Sequence, residues 1–463
     1  MIVRYLDPVE RLEYEIIQRS EEGSDVSEFK EDLTVIKQLR ESGAHEEAEH
    51  KSMHILQELR KTPSSPKLLT DEPDDLEQIL ALRPKNRIEL NSDSALSDAE
   101  YRNKILGGWL GRAAGCLLGK PVEKYHRSVI REMLESNGNW PLSNYFTQKG
   151  MPNSILQKYP WKRRRGVESL RENIRYMPED DDLNYTMLNL YVLENYSAQF
   201  TSLDIGTEWL KKIPVYETFT AERITYYNLL SGYEPPETAS YLNPFREWIG
   251  AQIRADLWGY VVPGNPQQAA EYAWRDARLS HVRNGIYGEM FCAAMIAGAF
   301  VESNPRNVVT TGLGEIPESS RLANAIRFVL DLPMENMDWE TVVDQLYKEF
   351  GEYHWVHTIN NAALVAAAVL YSDGDLEQTI CNTVMGGWDT DSCGATAGSV
   401  IGVIQGAAAL PGKWIDPLNN LIQSSMGGFD NTKFSELADR TLGVTKNMTA
   451  TQIQDNVKTA DDF

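Results

Sequence analysis

Cysteine is scarce in this chain. Cys116, Cys292, Cys381 and Cys393 are the four in 463 residues, and no two form a CxxC pair. A disulfide-stapled scaffold and a thiolate zinc site are thereby excluded, and reduced, buried thiols in a cytoplasmic protein are expected. Long apolar runs are missing as well. Those at 105–118 and 361–371 fall short of the ~20 residues that cross a bilayer, and the first residues lack the apolar stretch of a signal peptide. Positive charge is in deficit, with 45 Lys and Arg against 67 Asp and Glu and a net charge of −22. Affinity for a phosphate backbone rests on Lys and Arg, so no nucleic-acid partner is expected. Neither GxGxxG nor GxxxxGK[ST] occurs in the context of a strand, which argues against a nucleotide-binding glycine loop.

What the chain does have is enough length for one large domain and a smaller one. Its 42% hydrophobic and 10% aromatic residues are those of a globular protein. Residues 1–75 are expected to be a helical accessory segment. Leu33, Ile36 and Leu39, then Met53, Ile55, Leu56 and Leu59, predict two amphipathic helices split near Ser42-Gly43, followed by a linker over 62–73. This segment is a candidate for homo-oligomer contacts. His50 and His54 stand four apart on its second helix, a spacing shared by metal pairs and by ordinary exposed helical histidines.

Residues 76–463 form the second unit, with a core at about 97–445. Ser97 to Glu100 is a capping box that opens a helix carrying Gly107, Gly111, Gly115 and Gly119 at intervals of four. A second helix carries Gly394, Gly398, Gly402 and Gly406 at the same interval. Positions four apart share one helix face. Glycine there costs about 1 kcal/mol each relative to Ala, so two such stripes predict close backbone packing.

Acids collect at two places. Asp389 and Asp391, with Thr390 and Ser392 beside them, open the second glycine helix, and Glu179, Asp180, Asp181 and Asp182 precede an apolar helical pattern. Such clusters serve as helix starts, where the dipole favours negative charge, or as oxygen ligands for a hard divalent cation. Residues 140–177 read as a long loop containing the basic run Lys162 to Arg165, either a solvated face or a contact for an anion. Two helical patterns flank the turn Pro263 to Pro266, the first interrupted by Arg254 and Asp256, and Ser280-His281 follows the second, with His281 either a core or capping histidine or a ligand contact. Glu289 lies in an apolar helix and needs a partner. His357 falls at the start of an Ala-rich helix, where it would face a cleft.

In this order, the first glycine helix, Glu179 to Asp182, Ser280-His281, Gly387-x-Asp389-Thr-Asp391-Ser and the second glycine helix resemble the ADP-ribosylglycohydrolase family over about 97–445. The resemblance implies an all-α orthogonal multi-helix bundle with two divalent cations, Mg²⁺ or Mn²⁺, at the bottom of a cleft. It implies cleavage of the ribose anomeric bond of an ADP-ribosylated or related ribosyl substrate. Matched residue by residue, Asp389, Asp391 and Ser392 take the place of the family's C-terminal metal ligands. Asp180, Asp181 and Asp182 take that of its N-terminal ones. Glu179 stands where the family has Thr, and Asp181-Asp182 is the alternative register for the Asp pair. One acid of this run would protonate the leaving group or deprotonate the attacking water, and Asp181 is the one expected, with Asp182 and Glu179 beside it. Ser280-His281 matches a Thr/Ser-His pair near the family's substrate cleft, and Gly115, Gly119 and His357 are expected to contact substrate with it. Hydrolysis of another N-ribosyl compound such as a nucleoside, and a non-catalytic crystallin-like or ADP-ribose-binding role, remain open at this stage.

Overall fold

Two helices without side chains on their facing stripes sit at the centre of the molecule. They are Asp98–Gly119 and Thr390–Gln405. A Cβ added at Gly111 would lie 2.1 Å from the Gly398 carbonyl oxygen, and one at Gly115 would lie 1.9 Å from that of Gly394. The contacts are reciprocal, since a Cβ at Gly398 would meet the Gly111 oxygen at 2.2 Å. Only glycine permits this approach, so the four-residue period becomes backbone-on-backbone packing. The capping box closes the N-terminus of the first helix, with Glu100 N donating to Ser97 Oγ and Ser97 N to Glu100 Oε2.

The computed structural model describes residues 4–90, 96–161 and 164–461, leaving aside the side chains of 164–165 and 449–461. The described residues form 24 α-helices and no strand, with three isolated β-bridges, so the protein is an all-α bundle. No helix among them is long and apolar enough to cross a membrane. Around the glycine pair pack Asn284–Ala299 and Thr358–Tyr371, whose apolar residues bury on every side. That is why neither shows an amphipathic period.

The N-terminal segment differs from its sequence expectation in two ways. It holds three helices, Pro8–Glu21, Ser27–Glu41 and His45–Leu59, where the pattern suggests two. The first was concealed because it buries Arg11, Glu15 and Gln18 beside its apolar residues. The stretch read as a linker contains a helix, Pro66–Asp71, and the buried Glu72. The loop at 140–177 likewise contains Asn153–Lys158 and Arg164–Glu168, while the basic side chains of 162–165 lie outside the described residues.

Charge fixes the first helix to the rest of the chain. Arg246, 4% exposed, pairs with Glu15 at 2.7 Å and Glu22 at 2.6 Å, and Arg283 also bonds Glu22. Burial raises the Glu22 carboxyl, but Arg246, Arg283 and Arg19 outweigh it and hold it at about 2. Removing one partner of such a buried set strands the others, so Arg246→Ala is expected to cost about 3 kcal/mol or more. Denaturant melts of the full chain would read this, and an unchanged midpoint would show the segment to be loosely docked.

Glu21 has the opposite environment. Burial first, and then Glu247, push its carboxyl up to about 8 against the pull of Arg321. An acid raised in the folded state loses its favourable contribution as pH climbs from the ordinary value near 4.5 through 8. Glu21→Gln is therefore expected to raise the melting temperature at pH 9 and to leave it unchanged at pH 4. A gain of equal size at both values would contradict this assignment.

Candidate active site

The chain reaches the second acidic arm through a strained turn. Gly387 and Trp388 both take left-handed φ, +81° and +58°. Trp388 is held there by stacking on Tyr347, ring centroids 4.4 Å apart. The turn delivers Asp389 as the N-cap residue of Thr390–Gln405, and Asp389 N donates to Asn361 Oδ1. Thr390 Oγ1 donates to the Gly119 carbonyl at 2.8 Å, tying this arm to the end of the first glycine helix.

The first arm enters the helix Asp181–Tyr196, and its consecutive acids point to different places. Asp180 is the N-cap, accepts from Asp182 N, and bonds the buried Lys120 ammonium. Asp182 is held by Arg112, whose Nε donates to its carbonyl at 2.7 Å and whose second nitrogen lies 3.3 Å from its carboxylate. Asp181, only partly buried, lines the cleft. Glu179 does not line it and accepts from Asn184 Nδ2 and Ser425 Oγ.

The two arms meet. Ser392 Oγ donates to Asp182 Oδ2 at 3.2 Å across 210 positions of sequence. Oxygens of Glu123, Asp389 and Asp391 lie within 4.8 Å of one another. Cys116, Asp180 and Asp182 form a second such group. Burial, then Asp391, raises the Asp389 carboxyl well above its usual value, and burial, then Asp180, does the same for Asp182 despite Arg112. Carboxylates crowded out of water in this way are short of positive charge. Their hard oxygens suit a divalent cation such as Mg²⁺ or Mn²⁺, so the residues present fit a metal centre.

The cleft has a volume of about 200 Å³, and Asp181, Asp182, Asp389, Asp391 and Ser392 are part of its wall. None of the five residues expected to touch substrate is among those that line this cleft. Gly115 and Gly119 lie against the backbone of Gly394 and Thr390, with no space beside them. Ser280 and His281 are fully buried behind Glu222. Ser280 Oγ contacts His281 Nδ1 at 2.7 Å, and His281 Nε2 is 3.9 Å from Glu222. His357 caps Thr358–Tyr371 by accepting from Ile359 N, stacks on Tyr353, and lies 3.6 Å from Glu21; its neighbours His354 and Trp355 reach the cleft in its stead. Glu289 finds its partner in Trp258 Nε1 at 3.0 Å.

Three acids of the wall, Glu10, Glu123 and Glu222, carried no signal in the sequence. Glu123 follows the first glycine helix alone, and Glu222 sits in the helix Thr220–Leu230 among ordinary polar residues. Glu222 accepts from Arg254 at 2.9 Å and presses on Gly250, where an added Cβ would lie 2.0 Å from its carboxylate. Burial raises it to about 7 although Arg254 pulls it down. Glu222→Gln is therefore expected to remove an ionisation near neutrality from the pH–rate profile. An identical profile in the variant would exclude Glu222 from the titrating set.

An all-α bundle whose cleft joins two buried acidic arms defines a class of proteins equipped for cation-assisted chemistry. The model of the ADP-ribosylglycohydrolase family matches residues 97–450, and the chain belongs to that family. A solved structure described as an ADP-ribosylglycohydrolase-related protein complex is similar at 19% identity, covering 75% of this chain and 99% of its own, with a TM-score of 0.48. No curated protein matches.

Proposed function

We propose that the protein is a divalent-cation-dependent glycosidase that hydrolyses the ribose anomeric bond of an ADP-ribosylated substrate, N- or O-linked. The observation that carries this reading is the meeting of Ser392 with Asp182 beside the Glu123, Asp389 and Asp391 oxygens in one cleft of a glycohydrolase-family chain.

Glu123, Asp389 and Asp391, with Asp182 and Ser392, would hold two Mg²⁺ or Mn²⁺ ions. Bound there, such ions bind ribose hydroxyls and lower the pKa of water. The residues do the rest. Departure of the leaving group builds oxocarbenium charge on the ribose, which the carboxylates facing the cleft stabilise. Asp181, open to the cleft, transfers the proton to the leaving group or takes it from the attacking water. Lys120 and Arg112 keep Asp180 and Asp182 from turning, so the arm enters the reaction already oriented.

The test is incubation with Mg²⁺ or Mn²⁺ and a panel of arginine-, serine- and acetyl-linked ADP-ribose conjugates together with free nucleosides. Release of ADP-ribose that chelator abolishes is the expected result. Cleavage of nucleosides alone would move the substrate class, and no release from any member would end the glycosidase reading.

A further inference from the structure

One wall of the cleft comes from outside the family match. Arg4, Tyr5, Glu10 and Tyr14 line the same cavity as Asp181, Asp182, Asp389 and Asp391, whereas the match begins at residue 97. Tyr14 meets the Trp248 and His354 rings edge-on at 5.2 Å and 5.6 Å, and those two rings stack 4.2 Å apart with 7° between their planes. Burial lowers His354 to about 4, so it is a neutral flat ring at physiological pH. Arg4 lies over the Tyr5 ring at 4.7 Å and Lys124 over Trp355 at 5.4 Å. These two are the lysine and arginine side chains of the lining, and each sits beside an aromatic face.

The wall is held in place. Tyr14 immediately precedes Glu15, which Arg246 holds at 2.7 Å, and Gln18 on the next turn donates to Glu247 at 2.6 Å. The helix that carries Tyr14 is therefore fixed, and a ring so held loses little freedom when a ligand arrives.

We propose that residues 4–14 form the subsite for the part of the substrate beyond the ribose, an aromatic base carried on phosphate. The Tyr14, Trp248 and His354 rings pack the base, and Arg4, with Lys124 across the cleft lining, meets the phosphate charge. The inference rests on the glycosidase reading for its substrate but not for its binding measurement.

Two variants of the full chain, Arg4→Ala and Tyr14→Ala, test it against an ADP-ribosyl conjugate and against a riboside without the adenylyl part. Each is expected to raise KM for the conjugate by about tenfold, with kcat within about twofold, and to lose less on the riboside. Tyr14→Phe, which keeps the ring, is expected to recover most of the loss. Calorimetry with ADP-ribose on the same proteins separates the two readings. Binding that weakens about tenfold in both Ala variants supports the wall even where no conjugate is cleaved. Equal losses on conjugate and riboside, or unaltered ADP-ribose affinity in both Ala variants, would overturn it.

Discussion

Asp389→Asn is expected to stop metal-dependent turnover, by on the order of a thousandfold, while raising the melting temperature of the metal-free protein. Both effects have one origin. Asp389 is 6% exposed, and burial and Asp391, followed by Glu123 and Asp182, all push its carboxyl upward. A charge so placed destabilises the fold until a cation compensates it. Asparagine keeps the shape and removes the charge, so the apo protein gains where the enzyme loses. The measurement is a thermal melt with and without Mg²⁺ or Mn²⁺, beside a turnover assay. Wild-type turnover in the variant, or a stabilisation by metal as large as that of the unaltered chain, would show that the ions bind elsewhere.

A loss of stability as large as that of Arg246→Ala is expected from a single methyl group. Gly115→Ala would put its Cβ 1.9 Å from the Gly394 oxygen and 2.3 Å from the Gly394 carbonyl carbon. Both are backbone, so no side chain can swing aside and the two central helices must separate. Overpacking of this kind costs about 3 kcal/mol or more. Separation would also shift Asp391, since Gly119 on the same stripe meets Asp391 N, and turnover should fall with stability. Gly443→Ala is the control. It lies in the helix Phe434–Asp461 with nothing within 4 Å of an added Cβ, and is expected to be neutral or slightly stabilising. Equal denaturation midpoints for the two variants would show that the close approach is not what requires glycine.

The features legible in the sequence were local ones. A period of four in glycine states a helix face directly, and Asp389-Thr-Asp391-Ser392 opens a helix within four residues. The four acids from 179 to 182 were visible as a group, but not their separate duties. Successive residues on a helix turn by about 100°, so neighbours in sequence face different partners. Asp180 goes to Lys120, Asp182 to Arg112 and Ser392, and Asp181 to the cleft. The lining of the cleft was less legible. Ser280-His281 sits one layer behind Glu222, and nothing near either residue in the chain records that the other is there. The N-terminal segment read as an appendage because its polar residues look solvated, whereas Glu15, Gln18 and Glu22 are buried against partners more than two hundred positions away.

The glycine pair also acts as a gauge. Its last rung joins Gly119 to Thr390, one residue before Lys120 on one side and one before Asp391 on the other. The distance between the arms is thus measured in main-chain atoms, which have no rotamers to drift.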